Sequence, residues 1–242
     1  MPELLWVAAG WFAGGFINGV AGFGAALIAM PLIAPFIDFS VAVPSCTMIV
    51  LTLNVQVAWT FRKHIQWPYL RGIVIGAVPG VLLSMVVLAY VSETFLKAGM
   101  GAFIAGYALW SLYADKGGAR VISSAWGYLA GVLSSALGMA FGFNGPPLAA
   151  YIAFCGCPAK SVKGILGAGF IITGVCIVWA KAATGQVTGD VLLTYAAAVP
   201  AVILGSKIGI WLSASLNEYS YRKILFISLA AMGVRIVWTT LR

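Results

Sequence analysis

The sequence predicts an all-α polytopic membrane protein that is built from two homologous repeats. Of its 242 residues, 62% are hydrophobic and only 8% are charged, whereas a soluble domain carries about 25% charged residues. Apolar runs of about 20 residues recur along the chain, and this is the length that a helix needs to cross a bilayer. A glycine-rich apolar segment near the N-terminus returns at the middle of the chain, which indicates an internal repeat.

The first apolar region, at residues 4–37, is too long for a single membrane span. One continuous helix of this length would measure roughly 50 Å, against a hydrocarbon core of about 30 Å. The glycines and prolines between residues 19 and 35 weaken a helix interior. We therefore expect two short helices that form a hairpin. Three further helices are predicted to follow the hairpin, at about 43–61, 69–91 and 95–113.

The second half repeats this plan after a short polar linker at residues 115–120. We expect the first transmembrane repeat at 1–114 and the second at 121–242. Within the second repeat, a broken glycine-rich region at 121–154 precedes three predicted helices, which lie near 162–183, 191–213 and 221–241.

Matching positions support the correspondence between the two halves. Four positions of the glycine-rich segments match at a constant separation of 116 residues (131 − 15): Gly15, Gly22, Pro31 and Leu32 match Gly131, Gly138, Pro147 and Leu148. Farther along, Ala77–Pro79 matches Ala198–Pro200, and Trp59 and Gln66 match Trp179 and Gln186.

The distribution of basic residues predicts that the repeats have inverted orientations. If each broken region crosses out and back, most basic residues between the apolar runs fall on one side of the membrane. If the repeats were parallel, the same residues would divide much more evenly. The positive-inside rule therefore favours inverted repeats with both termini outside. The residues that share one side are Arg62, Lys63, Lys116, Arg120, Lys160, Lys163, Arg222 and Lys223.

The chain lacks the residue patterns of an enzyme, a metal centre or a cofactor site. Its one histidine, His64, lies in a basic loop, which excludes a histidine triad and a multi-histidine metal site. Topology accounts for the net charge of +8, so no nucleic-acid partner is expected. We expect the four cysteines to serve packing, because their spacing matches neither a disulfide framework nor a zinc site. They are Cys46, Cys155, Cys157 and Cys176. A redox or metal role of Cys155 and Cys157 stays open as an alternative.

Polar residues and glycines at the two breaks are the candidates for binding a small anion. Broken helices in transporters expose backbone N–H groups near the membrane midplane, and glycine permits close approach of a ligand. The glycines have helix packing as an alternative role, the polar residues have inter-helix hydrogen bonding, and Lys163 has topological anchoring. The second segment is expected to make more of the contacts. The candidates are Asn18, Gly22, Phe23, Gly24, Asn54, Ser134, Ser135, Gly138, Asn144, Gly145, Lys163 and Thr173.

The paired glycine-rich segments resemble the TauE/SafE sulfite exporter family, also called the TSUP family. The resemblance covers nearly the whole chain and includes Gly142–Leu148, Tyr151 and the basic stretch Lys160–Lys163. It implies transport of sulfite, thiosulfate, sulfoacetate or another organosulfonate across the bacterial cytoplasmic (inner) membrane. Relatives often carry arginine in the basic stretch, where this chain has Lys163, which lacks the planar fork of a guanidinium.

Export or facilitated diffusion by alternating access is the expected mode of transport. A membrane that is negative inside drives anions outward, at about 2.3 kcal/mol per charge and 100 mV. Ion-coupled uptake of organic anions, and a membrane-embedded assembly factor without a substrate, stay open as alternatives. The expected partners are the small anion and the lipid bilayer, and a homodimer also stays open.

Overall fold

A computed structural model describes residues 2–113, 125–154 and 157–212, together with residues 230, 234, 237, 238 and 240. The three continuous ranges fold into nine α-helices joined by short connections. The helices are α1 (Pro2–Ala21), α2 (Ala25–Ile33), α3 (Phe39–Thr60), α4 (Leu70–Leu88), α5 (Glu93–Tyr113), α6 (Ala125–Phe141), α7 (Gly145–Phe154), α8 (Ala159–Ala183) and α9 (Gly189–Leu212).

The predicted helices after each broken region are confirmed wherever the structure describes the chain. Helices α3, α4 and α5 occupy the three positions predicted in the first half, and α8 and α9 occupy two of those predicted in the second. The linker at 115–120 and most of the predicted helix at 221–241 lie outside the described residues.

Both glycine-rich regions are broken helices, as predicted, and each folds back on itself as a hairpin. A Cβ placed on Gly10 of α1 would lie 2.9 Å from the Ile33 side chain at the end of α2. The turn between these helices has φ values of 85° at Gly22 and 97° at Gly24. Only glycine adopts such values at little cost, and this explains where α1 ends. Pro31 lies inside α2 and does not end it.

The second hairpin has the same construction. Gly142, with φ of 79°, follows α6 directly, and a Cβ on Gly127 near the start of α6 would lie 3.0 Å from the Tyr151 hydroxyl of α7. The two helix breaks at residues 22–24 and 142–144 are therefore the corresponding features of the two halves.

The predicted separation between the two glycine-rich segments differs by four residues, about one helical turn, from the separation between the two breaks. Gly22 and Gly142 are 120 residues apart (142 − 22), which is also the separation of Trp59 and Trp179. The separation of 116 residues was wrong for the breaks. Small residues recur at intervals of four in both segments, so a shift of four residues still matches many of them.

The first helix of each half packs against a long helix of the other half. Helix α1 packs most extensively against α9, and α6 packs most extensively against α4. Glycines bring these backbones together: Gly15 faces the Val202 carbonyl, and Gly76 faces the Tyr128 carbonyl. The alternative role of the glycines in helix packing therefore applies to these contacts.

Helices α3 and α8 pack against each other in antiparallel directions. Gly164, near the start of α8, lies beside the Phe61 carbonyl that follows α3, where an added Cβ would be 3.0 Å from the oxygen. Gly174, farther along α8, lies beside Leu51 in the middle of α3. These two helices occupy corresponding positions in the two halves and run in opposite directions.

Four helical segments are long and apolar enough to cross a membrane, among the residues that the structure describes. They are Phe39–Thr60, Trp67–Leu88, Lys160–Ala183 and Gly189–Leu212. Helices α4 and α9 also direct large apolar side chains outward, as expected for a surface in contact with lipid. The outward side chains that are more than half exposed include Ile75, Leu82, Leu83, Val86, Leu193 and Leu204.

Replacing Gly15 with valine is expected to destabilise the contact between α1 and α9, because the added side chain would collide with the Val202 backbone. Overpacking of this kind costs about 1–3 kcal/mol, which lowers the Tm by several degrees. The measurement is the Tm of the detergent-purified protein, followed by tryptophan fluorescence. Gly106→Val is the matched control, because a Cβ on Gly106 meets no described atom within 4 Å. Equal Tm values for the two variants would contradict this packing.

Candidate functional site

A small cavity lies between the turns of the two hairpins and is also lined by residues of α3 and α8. Its volume is about 20 Å³ for the centre of a water-sized sphere, which is enough for one water molecule. Every residue in its lining is uncharged. The lining consists of Asn18, Gly24, Ala25, Ala26, Leu27, Val50, Asn54, Phe143, Asn144, Gly145 and Phe170.

The lining contains pairs of residues that correspond between the two halves. Each pair is separated by 120 residues (144 − 24), the same separation as the breaks. The cavity therefore lies where corresponding parts of the halves meet. The pairs are Gly24 with Asn144, Ala25 with Gly145, and Val50 with Phe170.

Two helices begin at this cavity. The first turn of α2 lines it with Ala25, Ala26 and Leu27, and the first residue of α7, Gly145, lines it from the other hairpin. The first N–H groups of a helix have no partner within the helix, and the helix dipole adds positive potential there. In α7 the next two residues are prolines, which have no N–H group. Helix α2 therefore offers more donors than α7.

Two asparagines of the lining have a buried polar atom without a hydrogen-bond partner among the described residues. Asn18 near the end of α1 is 3% exposed, and its Nδ2 has no acceptor. Asn54 on α3 is 1% exposed, and its Oδ1 has no donor. A buried polar group that lacks a partner costs about 1–3 kcal/mol. The cavity thus presents an unsatisfied donor and an unsatisfied acceptor.

The third asparagine, Asn144, is held in place by neighbouring helices. Its Nδ2 donates to Thr173 Oγ1 on α8 at 2.7 Å, and its carbonyl oxygen accepts a hydrogen bond from the Ser134 hydroxyl on α6. Thr173 Oγ1 in turn donates to the Gly169 carbonyl at 3.1 Å. Thr173 and Ser134 therefore position a residue of the cavity, although neither lines it.

Lys163 contacts the first hairpin next to the cavity. Its Nζ donates to the Gly19 carbonyl in the last turn of α1 at 3.1 Å, and it lies 5.5 Å from the centre of the Phe61 ring. A Cβ on Gly22 would be 2.9 Å from Lys163 Cγ. This glycine therefore makes room for the lysine, which binds the helix end rather than lining the cavity.

Two further predicted site residues lie beside the lining, and Ser135 lies away from it between α6 and α4. Phe23 lies beside Gly145, and Gly138 faces Ile177 and the Asn144 side chain. Ser135 is buried where α6 packs against Gly80 of α4.

Most lining residues come from the first hairpin and α3, and the second hairpin contributes Phe143, Asn144 and Gly145. The larger share of substrate contacts expected of the second segment stays a prediction. Contact of any of these residues with substrate stays a prediction.

Sequence reasoning missed several residues of the site. Val50, Phe143 and Phe170 are apolar, and only the 120-residue register would have indicated them. Cys46, whose thiol donates to the Gly142 carbonyl at 3.1 Å, was expected only to pack. Lys181 was not among the predicted site residues, and it is buried in the structure. Among the described residues, no group of three metal-binding side chains comes together.

Comparisons with known proteins identify relatives across almost the full chain. The profile of the family described as "Sulfite exporter TauE/SafE" matches residues 6–236. A protein of Cupriavidus necator named "Probable sulfite/organosulfonate exporter TauE" is 27% identical over 232 residues, which cover 93% of this chain and 90% of the relative. No solved structure matches the chain significantly.

Replacing Thr173 with valine is expected to lower the free energy of unfolding by about 1–3 kcal/mol, because the Asn144 amide loses its acceptor while it stays buried. Thr60→Val is the matched control, since Thr60 is exposed and bonds only to the Gln56 carbonyl four residues earlier. Denaturation in detergent measures both variants. A Thr173 variant as stable as the control would show that the hydrogen bond to Asn144 contributes nothing.

Proposed function

The chain belongs to the TauE/SafE sulfite exporter family, and we propose that it transports small sulfur-containing anions such as sulfite, sulfoacetate or another organosulfonate. Members of this family are transporters and not enzymes. The apolar spans are those of a multi-pass membrane protein. Placement in the bacterial cytoplasmic membrane is part of the proposal, and the exporter name and the organism of the Cupriavidus necator relative support it.

The observation that carries the proposal is Asn18 in the lining of a cavity where two helices begin, because its buried Nδ2 has no partner among the described residues. The N–H groups in the first turn of α2 and at Gly145 add further donors with positive potential. Donors directed into one small space favour a ligand with several acceptor oxygens, as in sulfite or a sulfonate group. Because the lining itself is uncharged, the site attracts an anion through partial charges only.

Asn54 supports a preference among such anions. Its unpartnered Oδ1 requires a donor, so the cavity matches an anion that carries a hydrogen-bond donor as well as acceptor oxygens. Hydrogensulfite has a hydroxyl group, isethionate has an alcohol, and taurine has an ammonium group. Each of these compounds, including the zwitterion taurine, carries both acceptor oxygens for Asn18 and a donor for Asn54.

We propose that inverted repeats move this site by alternating access. The antiparallel course of α3 and α8 and the exchanged packing of α1 and α6 support a two-fold relation between the halves. A cavity with room for one water molecule does not hold a sulfonate. The hairpin turns must therefore separate to admit the substrate, and separation of one turn at a time opens the cavity to one side.

Export or facilitated diffusion follows from the charge of the substrate. A potential that is negative inside favours the outward movement of an anion, and none of the lining residues carries a carboxylate to accept a proton. Ion-coupled uptake would need a proton or a cation to move with the substrate, so a transport assay separates the two directions.

Asn18→Leu is expected to weaken sulfite binding about tenfold or more, because a hydrogen bond to a charged group contributes about 1.5–3 kcal/mol. The Tm without sulfite should not fall, since the replaced Nδ2 has no partner to lose among the residues that the structure describes. The measurement is the sulfite-dependent rise in Tm of the purified protein. Gln56→Leu is the control, because the unpartnered Oε1 of Gln56 lies outside the cavity, in a cleft between α3 and α9. Unchanged sulfite binding by Asn18→Leu would contradict the proposed role of Asn18 in binding the anion.

In proteoliposomes, sulfite flux is expected to follow an imposed membrane potential without any proton or sodium gradient. The driving force is about 2.3 kcal/mol per charge and 100 mV. A potassium gradient with an ionophore sets the potential, and radiolabelled sulfite reports the flux. Flux that strictly requires a proton or sodium gradient would support coupled uptake instead, and wild-type protein that neither binds nor moves any anion would support a non-transport role.

A further inference from the structure

Two lysines of α8 bind corresponding carbonyl groups on the two hairpins. Lys163 Nζ donates to the Gly19 carbonyl at 3.1 Å, and Lys181 Nζ donates to the Met139 carbonyl at 3.1 Å. Gly19 and Met139 are 120 residues apart (139 − 19), which is the separation of the two breaks. The same interaction is therefore made twice, once at the end of α1 and once at the end of α6.

The spacing of these lysines places them at opposite ends of one face of α8. They are 18 residues apart (181 − 163), which corresponds to five helical turns and a rise of about 27 Å. Both lie within the candidate span Lys160–Ala183, near its two ends. One helix thus carries a cation toward each side of the membrane, each beside a hairpin.

The charge of Lys181 is only weakly compensated by its partners. This side chain is 3% exposed, and its hydrogen-bond acceptors among the described residues are the Met139 carbonyl and Gln186 Oε1, at 3.1 and 3.2 Å. Both acceptors are neutral. The last carbonyls of a helix attract cations, although this contributes only about 0.3–1 kcal/mol at exposed sites. An anion would be the stronger partner for a buried ammonium group.

The carbonyl partner of each lysine lies close to a cavity residue along the chain. Gly19 precedes the turn at Gly22–Gly24, and Met139 precedes the turn at Gly142–Asn144. Gly24 and Asn144 line the cavity. An anion that enters or leaves between a hairpin turn and α8 therefore passes one of the lysines first.

We propose that Lys163 and Lys181 bind the anion at the two ends of its route through the protein, which we call the mouths. At each mouth the ammonium group releases its helix carbonyl and binds the passing anion instead. This inference rests on the proposed function. The exchange removes the cap from α1 or α6, which loosens that hairpin and opens the cavity toward that mouth. The two mouths differ, because Lys163 is half-buried and Lys181 is almost fully buried.

Two substrates that differ in one group distinguish this role from simple helix capping. Isethionate and taurine have the same two-carbon sulfonate, but taurine carries its own ammonium group and has no net charge. Loss of a mouth cation should slow isethionate more than taurine, whereas loss of a helix cap alone should slow both equally. The ratio of the two fluxes is therefore the informative quantity.

The experiment measures both fluxes in proteoliposomes for Lys163→Gln and Lys181→Gln, with Lys163→Arg and Lys181→Arg as variants that keep the charge. We expect the ratio of isethionate flux to taurine flux to fall about tenfold in the glutamine variants, because the lost ammonium charge attracts the net anion isethionate more strongly than the neutral zwitterion taurine. The ratio should stay near the wild-type value in the arginine variants. Lys160→Gln is the matched control, since Lys160 lies in the first turn of the same helix but is exposed.

The outcomes distinguish a role of the lysines at the mouths from helix capping, and both from failure of the proposed function. Equal losses of both fluxes, or an unchanged ratio in the glutamine variants, would overturn the mouth role and leave helix capping. If Lys181→Gln does not fold, the half-buried Lys163 provides the same comparison alone. Wild-type protein that neither binds nor transports any sulfonate would contradict the proposed function itself, whatever the variants do.

Discussion

The rest of the structure depends on two helix breaks inside an apolar protein, because the backbone groups that they expose need partners. Each interruption leaves backbone N–H and C=O groups without helical partners, and such groups are costly to bury unpaired. Side chains of neighbouring helices satisfy several carbonyls: Ser134 bonds to Asn144, Cys46 bonds to Gly142, and two lysines of α8 bind the ends of α1 and α6. The first residues of α2 and α7, whose N–H groups have no partner within their helices where they exist, belong to the cavity lining.

Close backbone packing supports these hairpins from the outside. Lipid tails are as apolar as leucine, so membrane helices associate through van der Waals contact and hydrogen bonds rather than through burial from water. Gly15 against Val202 and Gly76 against Tyr128 bring α1 to α9 and α6 to α4. Because each contact joins opposite halves of the chain, a hairpin of one half is supported by a long helix of the other.

The distribution of charge between cavity and surroundings suits a transporter. A site must bind its substrate well enough to admit it and weakly enough to release it. The cavity has only amide groups and helix starts, equivalent to about half a positive charge per helix. The full charges of Lys163 and Lys181 lie outside the lining, at the ends of α8.

The sequence by itself predicted the helical class from hydropathy and the two breaks from glycine content, because span length and helix weakening are local properties. The asparagines beside the breaks were then candidates by their position. The register of the repeats was not determined, since small residues spaced by four match at 116 as well as at 120 residues. Only the tertiary structure decided that Val50 and Phe170 close the cavity and that Lys181 reaches Met139. These contacts join segments that are distant in sequence, and their partners are set by how the helices pack.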